Sequence, residues 1–137
     1  CLPCEEVLHM WRDYETRTSR TSEHYAQNYF LDLKLHYFLK LDWQSNRPLV
    51  IWGAGSKGKT LAKLLSKQKI PFYWVCDNPN KIGKKIYGQS LRSYTEIGKM
   101  KKPQSIITVA NTEAQKQIRD FLEDHSQQDI SDFFFFC

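Results

Sequence analysis

A glycine-rich segment between two short apolar runs constrains the fold of this chain more than any other feature. Leu49–Trp52 has the composition of a buried strand, and the glycines of residues 53–58 end it in a tight turn. Leucines on one face predict a helix from this turn to about Lys67, and residues 72–76 predict a second buried strand. The segment from Leu49 to about Leu91 is therefore predicted to be a strand–helix–strand unit with parallel strands.

The second half of the chain continues the same alternation. Residues 105–109 predict a third strand, Asn111 or Thr112 can cap the next helix, and residues 133–136 predict a final strand. Four consecutive Phe residues would aggregate if exposed, so we expect an interior strand covered on both faces. The predicted fold class is α/β, a small Rossmann-like parallel sheet of order 2-1-3-4 with helices on both faces.

The residues before the first strand are predicted to be a separate region. Residues 12–20 have the composition of a connector, and Ser22 followed by Glu23 is a suitable helix start. An aromatic-rich stripe then predicts an amphipathic helix up to Leu41, formed by Tyr25, Tyr29, Leu33, Tyr37 and Leu41. We therefore expect residues 1–47 to be a connector and helix, residues 48–137 to be the Rossmann-like domain, and the chain to be a piece of a longer protein.

The glycine turn matches the dinucleotide fingerprint, in which three glycines allow a tight turn, close phosphate approach and close helix packing. Gly53, Gly55 and Gly58 have the required spacing, and Asp77 follows 19 residues after Gly58, at the end of the second predicted strand. An acidic side chain at that point can accept hydrogen bonds from ribose hydroxyl groups. The combination predicts a site for a nucleotide-type phosphate, and the end of the third strand at Ala110 and Asn111 is predicted to lie beside it.

The same residues also fit the phosphate-binding loop of nucleoside triphosphatases. In that interpretation Lys59 would reach the β- and γ-phosphates, and Thr60 would bind magnesium. Fewer than 90 residues follow the motif, and no catalytic base can be identified among them. The Rossmann-type interpretation is therefore preferred, and neither a metal ligand nor a catalytic residue is assigned.

The distribution of charge along the chain limits the kinds of ligand that it can bind. Between Lys57 and Lys102, twelve basic residues outnumber two acidic ones and give this stretch a net charge of +10. Such an excess suits an anionic ligand, and no nucleic-acid-binding motif accompanies it.

No run approaches the roughly 20 apolar residues of a membrane helix, so we expect a cytoplasmic protein without a membrane span. Cys76 lies in an apolar run and is predicted to be a small core residue.

Two family resemblances follow from these motifs. The order Trp11-Arg-Asp, Arg17-Thr-Ser-Arg, Tyr25, Leu33-Lys and then the Ile-Trp-Gly-Ala-Gly turn resembles the C-terminal extension of bacterial family 2 glycosyltransferases. Residues 50–88 are also similar to the N-terminal domain of sugar O-acyltransferases, where an equivalent turn and Asp-Asn pair hold a nucleotide-sugar, and to the C-terminal domain of sugar C-methyltransferases. The first resemblance implies a glycosyltransferase parent with an upstream sugar-transfer domain, and a non-catalytic role for this part of it.

The sequence thus predicts an accessory domain that binds a nucleotide, a nucleotide-sugar or an NAD-type dinucleotide. The candidate binding residues are Gly53, Ala54, Gly55, Lys57 and Gly58 at the turn, Asp77 and Asn78 at a ribose or base, and Ala110 and Asn111 on the far side. One alternative is a structural platform with a vestigial site, in which the aromatic helix docks to the catalytic domain or to another copy of the chain as a homodimer. Another is a free-standing NAD-dependent or phosphoryl-transfer enzyme.

Overall fold

Six strands form one sheet in the computed structural model, which describes residues 29–136 apart from the side chain of Tyr29. The strands are β1 (Leu49–Trp52), β2 (Tyr73–Cys76), β3 (Lys85–Ile86), β4 (Gln89–Ser93), β5 (Gln104–Ile107) and β6 (Phe133–Phe135). Their order is β3-β4-β2-β1-β5-β6, and every neighbouring pair is parallel except the β3–β4 hairpin. The predicted order of the four main strands is confirmed.

Helices cover both faces of this sheet. They are α1 (Tyr29–Leu41), α2 (Ser56–Lys67) and α3 (Thr112–Asp124), with a 3-10 helix at Tyr94–Lys99. One core cluster contains side chains of α1 and α2 together with Ile51 and Trp74 of the sheet. The other contains Ile118 and Leu122 of α3 against Val50 and Phe133. Alternate residues of β1 thus enter opposite cores, as the pleat of a strand buried on both faces requires.

The strand register determines where functional groups can meet. Trp52, the last residue of β1, pairs with Val75 in β2 and with Ile107 in β5. The three carboxyl ends therefore lie at one edge of the sheet. Because the chain leaves β1 toward β2 on one side and β5 lies on the other side, this edge is the topological switch point at which ligands bind in open α/β sheets.

The β3–β4 hairpin lies between the second and third predicted strands, 72–76 and 105–109, where no strand is predicted from the sequence. β4 extends the parallel sheet by pairing with β2, and Leu91 is its one fully buried residue. A short, mostly polar strand at the margin of a sheet has no hydrophobic run to reveal it, which explains the missed prediction.

Strand β6 is an edge strand of the described sheet, so the prediction of an interior strand is wrong. Both of its faces are nevertheless covered, since Phe133 lies in one core cluster and Phe136, just past the strand, lies in the other. The Arg119 guanidinium lies 4.9 Å from the ring centroid of Phe135 and shields part of that side chain. Within residues 29–136, packing of the two faces, together with this cation, covers the phenylalanines.

Helix α1 ends at Leu41, as predicted, but turns a different face toward the sheet. The buried residues are Leu31, Leu35 and Phe38, whereas Leu33 and Tyr37 of the predicted stripe are about half exposed. Leu33 and Tyr37 line an open cleft of about 600 Å³ beside β6, remote from the glycine turn. The predicted helix start at Ser22 and the stripe residue Tyr25 lie outside the described residues.

Candidate functional site

The glycine turn begins directly at the carboxyl end of β1. Gly53 has φ = +101°, a conformation that L side chains rarely adopt. A Cβ at this position would also lie 2.9 Å from Oγ1 of Thr108. Both the backbone conformation and the available space therefore require glycine at position 53.

The third glycine of the motif packs against the first. A Cβ on Gly58 would lie 2.0 Å from the carbonyl oxygen of Gly53, closer than any real contact. The first turn of α2 can approach the end of β1 only because Gly58 has no side chain. The turn is accordingly narrow, which favours the Rossmann-type interpretation over a wide triphosphatase loop.

The second glycine faces open space. Gly55 is the N-cap of α2, and no side chain caps the helix there. Apart from the adjacent backbone, no heavy atom of the described residues lies within 4 Å of its Cβ position. The first amide groups of an α-helix have no partners within the helix, and the helix dipole adds positive potential at this end. The beginning of α2 is therefore arranged to receive an anion.

Two side chains hold this turn in place, and neither is among the residues predicted for the site. The indole Nε1 of Trp74 donates a hydrogen bond to the Gly53 carbonyl oxygen at 2.8 Å. The hydroxyl of Thr108 donates to the Trp52 carbonyl oxygen at 2.6 Å and joins the ends of β1 and β5. These contacts join residues 21 and 56 positions apart, so no local sequence signal could have revealed them.

A pocket of about 370 Å³ opens beside the turn at this edge of the sheet. It is lined by Trp52, Gly53, Cys76, Asp77, Tyr94, Val109, Ala114, Gln117, Ile118 and Phe121. Three aromatic rings form one wall, with Tyr94 centred 5.8 Å from Trp52 and 5.3 Å from Phe121. Its volume lies near the lower end of the range for ligand pockets, and its aromatic wall beside a carboxylate suits a nucleoside.

The predicted residues Asp77 and Asn78 directly follow β2, and of the two only Asp77 lines this pocket. The carboxylate of Asp77 is exposed and lines the pocket together with Gly53, so the structure brings these two predicted residues together. The side chain of Asn78 accepts a hydrogen bond from the Asn80 amide at 3.0 Å. Asn78 thus shapes the loop after β2.

Ala110 and Asn111 lie on the far side, between the pocket-lining residues Val109 and Ala114. The side-chain oxygen of Asn111 accepts a hydrogen bond from the Ala114 amide at 3.0 Å and caps α3, as one of the two predicted capping residues. Ala110 is exposed. Neither residue lines the pocket itself, so they form its outer margin.

Basic side chains surround the turn. Lys57 is half-buried in the first turn of α2, and Lys59 is exposed on the same helix. Lys81, which the sequence analysis did not assign to the site, reaches the turn from the loop after β2. Its Nζ donates to the Ala54 carbonyl oxygen at 3.1 Å.

Cys76 lies at the inner end of the pocket and is 3% exposed, which confirms its predicted core position. Burial raises the pKa of its thiol, and the nearby Asp77 carboxylate adds to the rise. A backbone hydrogen bond at Asn78 and the positive charge of Lys81 act in the opposite direction, but burial is the largest effect. The thiol is therefore a protonated lining group at neutral pH rather than a nucleophile.

Within residues 29–136, no group of three or more His, Cys, Asp or Glu side chains is arranged to hold a metal ion. The hydroxyl of Thr60, the magnesium ligand in the triphosphatase interpretation, donates to the Ser56 carbonyl oxygen at 3.0 Å. None of the helices in the same part of the chain is long and apolar enough to span a bilayer.

Comparison with known proteins gives a fold likeness and no family membership. No protein-family model and no curated protein matches the sequence. Among solved structures, the chain is similar to RSP in complex with beta-NADH, with a TM-score of 0.53 and 22% identity over 80% of this chain. RSP, a Rex-family repressor, also matches in a second structure, with a TM-score of 0.51 and 20% identity. The matched region spans 53% of the RSP chain in both, so the likeness shows a Rossmann-like fold over about half of that protein.

Proposed function

We propose that this domain binds an NAD-type dinucleotide across the glycine turn. The observation that carries the proposal is that Gly53 and Asp77 line one pocket at the switch point of the sheet, next to the open side of Gly55. In this arrangement the pyrophosphate lies against the start of α2, and Asp77 accepts hydrogen bonds from the adenosine ribose. The adenine lies in the pocket against Tyr94 and Phe121.

The nicotinamide half of the dinucleotide would pass Ala110 and Asn111, which follow β5. The pocket of about 370 Å³ accommodates one nucleoside, so the second half must extend along the open edge beyond it. The fold likeness to RSP in complex with beta-NADH supports this choice of ligand. A nucleotide-sugar, which the sugar O-acyltransferase resemblance favours, is the competing ligand and shares the same phosphate contacts.

A thermal-unfolding screen of the 137-residue chain against NADH, NADPH and UDP-glucose tests the proposal. A ligand at a hundredfold excess over its Kd stabilises the folded state by about 2.7 kcal/mol. We expect NADH to raise the Tm, and NADPH to do so much less because its 2′-phosphate would approach the carboxylate of Asp77. A shift with UDP-glucose alone would instead identify a nucleotide-sugar site, and no shift with any of the three would contradict a nucleotide site.

The variant Gly55→Val locates the ligand. Its Cβ has open space and an ordinary backbone conformation, so the fold should survive, but its methyl groups would occupy the phosphate position. Ser66→Val, at the exposed far end of α2, is the matched control. Loss of the NADH shift in Gly55→Val alone supports the site, and equal shifts in both variants would place the ligand elsewhere.

We further propose that the domain is a non-catalytic accessory part of a family 2 glycosyltransferase. The order of motifs from Trp11 to the glycine turn supports this proposal. The gene provides the test, because the codons preceding Cys1 should encode a sugar-transfer domain with an Asp-x-Asp metal site. An upstream domain of another class would contradict it and would leave the dinucleotide proposal intact.

A further inference from the structure

Lys81 lies outside the glycine motif, but its ammonium group is held at the turn. Its Nζ donates to the carbonyl oxygen of Ala54, a residue 27 positions earlier in the chain. Ala54 lies between the first two glycines of the motif, immediately before the N-cap of α2. A half-buried lysine from another loop is thus placed beside the open end of this helix.

The loop backbone determines this placement. The Asn78 carbonyl oxygen accepts hydrogen bonds from the amides of Lys81 and Ile82, at 3.0 and 3.2 Å. The amide of Gly83 donates to the Leu91 carbonyl oxygen in β4 at 2.8 Å and fixes the far end of the loop to the sheet. Lys81 therefore emerges from a hydrogen-bonded turn anchored at both ends, so its side chain starts from a fixed point.

Positive charge accumulates at this end of α2. A cation near a helix N-terminus is unfavourable, because the helix dipole is already positive there. Helix α2 contains no acidic residue, and Lys57 and Lys59 add positive charge to its first turn. Over residues 29–136, Lys81 forms no ion pair with a carboxylate. An anion bound at the turn would relieve this accumulation of positive charge.

We propose that Lys81 is the charged partner of the dinucleotide pyrophosphate, an inference that rests on the proposed function. On binding, the ammonium group exchanges the neutral Ala54 carbonyl oxygen for a phosphate oxygen, and hydrogen bonds to ionised acceptors are the stronger ones. Asp77 and Lys81 lie in one loop, so a single segment holds both the ribose and the phosphate. Lys59, which the triphosphatase motif would place on the phosphate, is exposed and does not line the pocket.

Calorimetric titration of the full chain tests this assignment with three ligands that differ stepwise: NADH, ADP-ribose and adenosine. The variants are Lys81→Gln and its matched control Lys59→Gln, both removing one positive charge. We expect Lys81→Gln to weaken NADH and ADP-ribose binding about tenfold, as the loss of one charged hydrogen bond does. Adenosine has no phosphate, so its Kd should not change, and Lys59→Gln should change each Kd less than about twofold.

Two further measurements separate charge from shape. Lys81→Arg keeps the positive charge and should recover most of the NADH affinity, whereas recovery would fail if the side chain served only to pack the loop. Raising the salt concentration should weaken binding to the wild type more than binding to Lys81→Gln, since fewer ionic contacts remain to be screened.

The outcomes also distinguish the two proposals. Binding of NADH to the wild type with equal affinity in Lys81→Gln and Lys59→Gln would overturn the role of Lys81 and leave the dinucleotide site standing. A wild-type chain that binds neither NADH nor ADP-ribose would overturn both. An equal loss for adenosine and NADH in Lys81→Gln would show a structural effect on the pocket and would contradict the phosphate assignment.

Discussion

The indole of Trp74 donates a hydrogen bond to the carbonyl oxygen of Gly53 at 2.8 Å, and it thereby ties the second strand of the sheet to the glycine turn. The amide of Gly53 donates in turn to the Val75 carbonyl oxygen at 3.0 Å. β2 thus holds Gly53 through both its amide and its carbonyl, with the backbone at φ = +101°. The turn is therefore shaped by the core before any ligand arrives.

The variant Trp74→Phe should be less stable than Trp52→Phe. Both remove an indole nitrogen from a buried side chain. Nε1 of Trp74 has a hydrogen-bond partner, whereas Nε1 of Trp52 is buried without one among the described residues. Leaving the Gly53 carbonyl oxygen unsatisfied costs about 1–3 kcal/mol. Urea unfolding of both variants measures the difference, and equal losses would contradict a stabilising role for the Trp74 hydrogen bond.

The variant Gly58→Ala should destabilise the fold, whereas Gly55→Ala should not do so to the same degree. The new methyl group at position 58 would meet the Gly53 carbonyl oxygen and force apart α2 and β1, at a cost of about 1–3 kcal/mol or more. At position 55 it enters open space, and the loss is limited to a weaker N-cap, about 1 kcal/mol. Thermal unfolding without ligand measures both losses of stability. A larger loss in Gly55→Ala than in Gly58→Ala would contradict the close contact between Gly58 and Gly53.

The variant Arg47→Lys should cost more stability than Arg92→Lys. The guanidinium of Arg47 donates to the carbonyl oxygens of Lys102 and Pro103 and pairs with Asp132 at 2.5 Å, so it joins the starts of β5 and β6. An ammonium group cannot reproduce that fork of donors. Arg92 forms an exposed pair with Glu96, and its guanidinium lies 5.2 Å from the ring centroid of Tyr73.

We expect a loss of about 2 kcal/mol or more for Arg47→Lys and less than about 0.5 kcal/mol for Arg92→Lys, measured by urea unfolding. The difference in stability between the wild type and Arg47→Lys should change little at high salt, because the Arg47–Asp132 pair is largely buried. Similar small losses in both variants would show that the β5 and β6 starts are held by the sheet alone.

The thiol of Cys76 should react slowly at neutral pH and faster as the pH rises past its raised pKa. Burial favours the protonated form, and only the thiolate is nucleophilic. In the unfolded chain the thiol ionises at a lower pH than in the fold, so the free energy of unfolding should fall as the pH rises above the unfolded value. The variant Cys76→Ala should lack the part of this decrease in unfolding free energy that comes from ionisation of the thiol.

A chain with Cys1, Cys4 and Cys137 replaced by serine lets a thiol reagent report on Cys76 alone. Bound NADH should slow its reaction further, since Cys76 lines the pocket. Rapid labelling of the folded protein at neutral pH would show that the pocket opens more widely than the structure indicates.

The main sheet could be predicted because its strands are continuous apolar runs. Leu49–Trp52 is buried at every position, and glycines or polar residues bound each run. β4 could not be predicted, since Leu91 is its only buried residue, and the edge position of β6 depends on partners elsewhere in the sheet. The period of α1 was recognised, but its neighbours on the sheet decide which of its apolar faces is buried.

In the candidate site, too, some residues could be predicted from the sequence and others could not. Gly53, Gly55, Gly58 and Asp77 could be found because a motif fixes their spacing on one strand–helix–strand unit. Trp74, Thr108 and Lys81 reach the turn through contacts 21 to 56 positions apart, which only the folded chain brings together. A motif identifies where a phosphate can approach, and the long-range contacts determine how rigid and how charged that place is.

The contact between Gly58 and Gly53 has a consequence for how this sequence can diverge. Selection for folding alone retains glycine at positions 53 and 58, because a side chain at either meets other atoms, but it leaves position 55 free to vary. Descendants that lose the ligand should therefore keep the outer two glycines and replace the middle one. The residue found at position 55 in diverged copies is then a record of whether each lineage still uses the site.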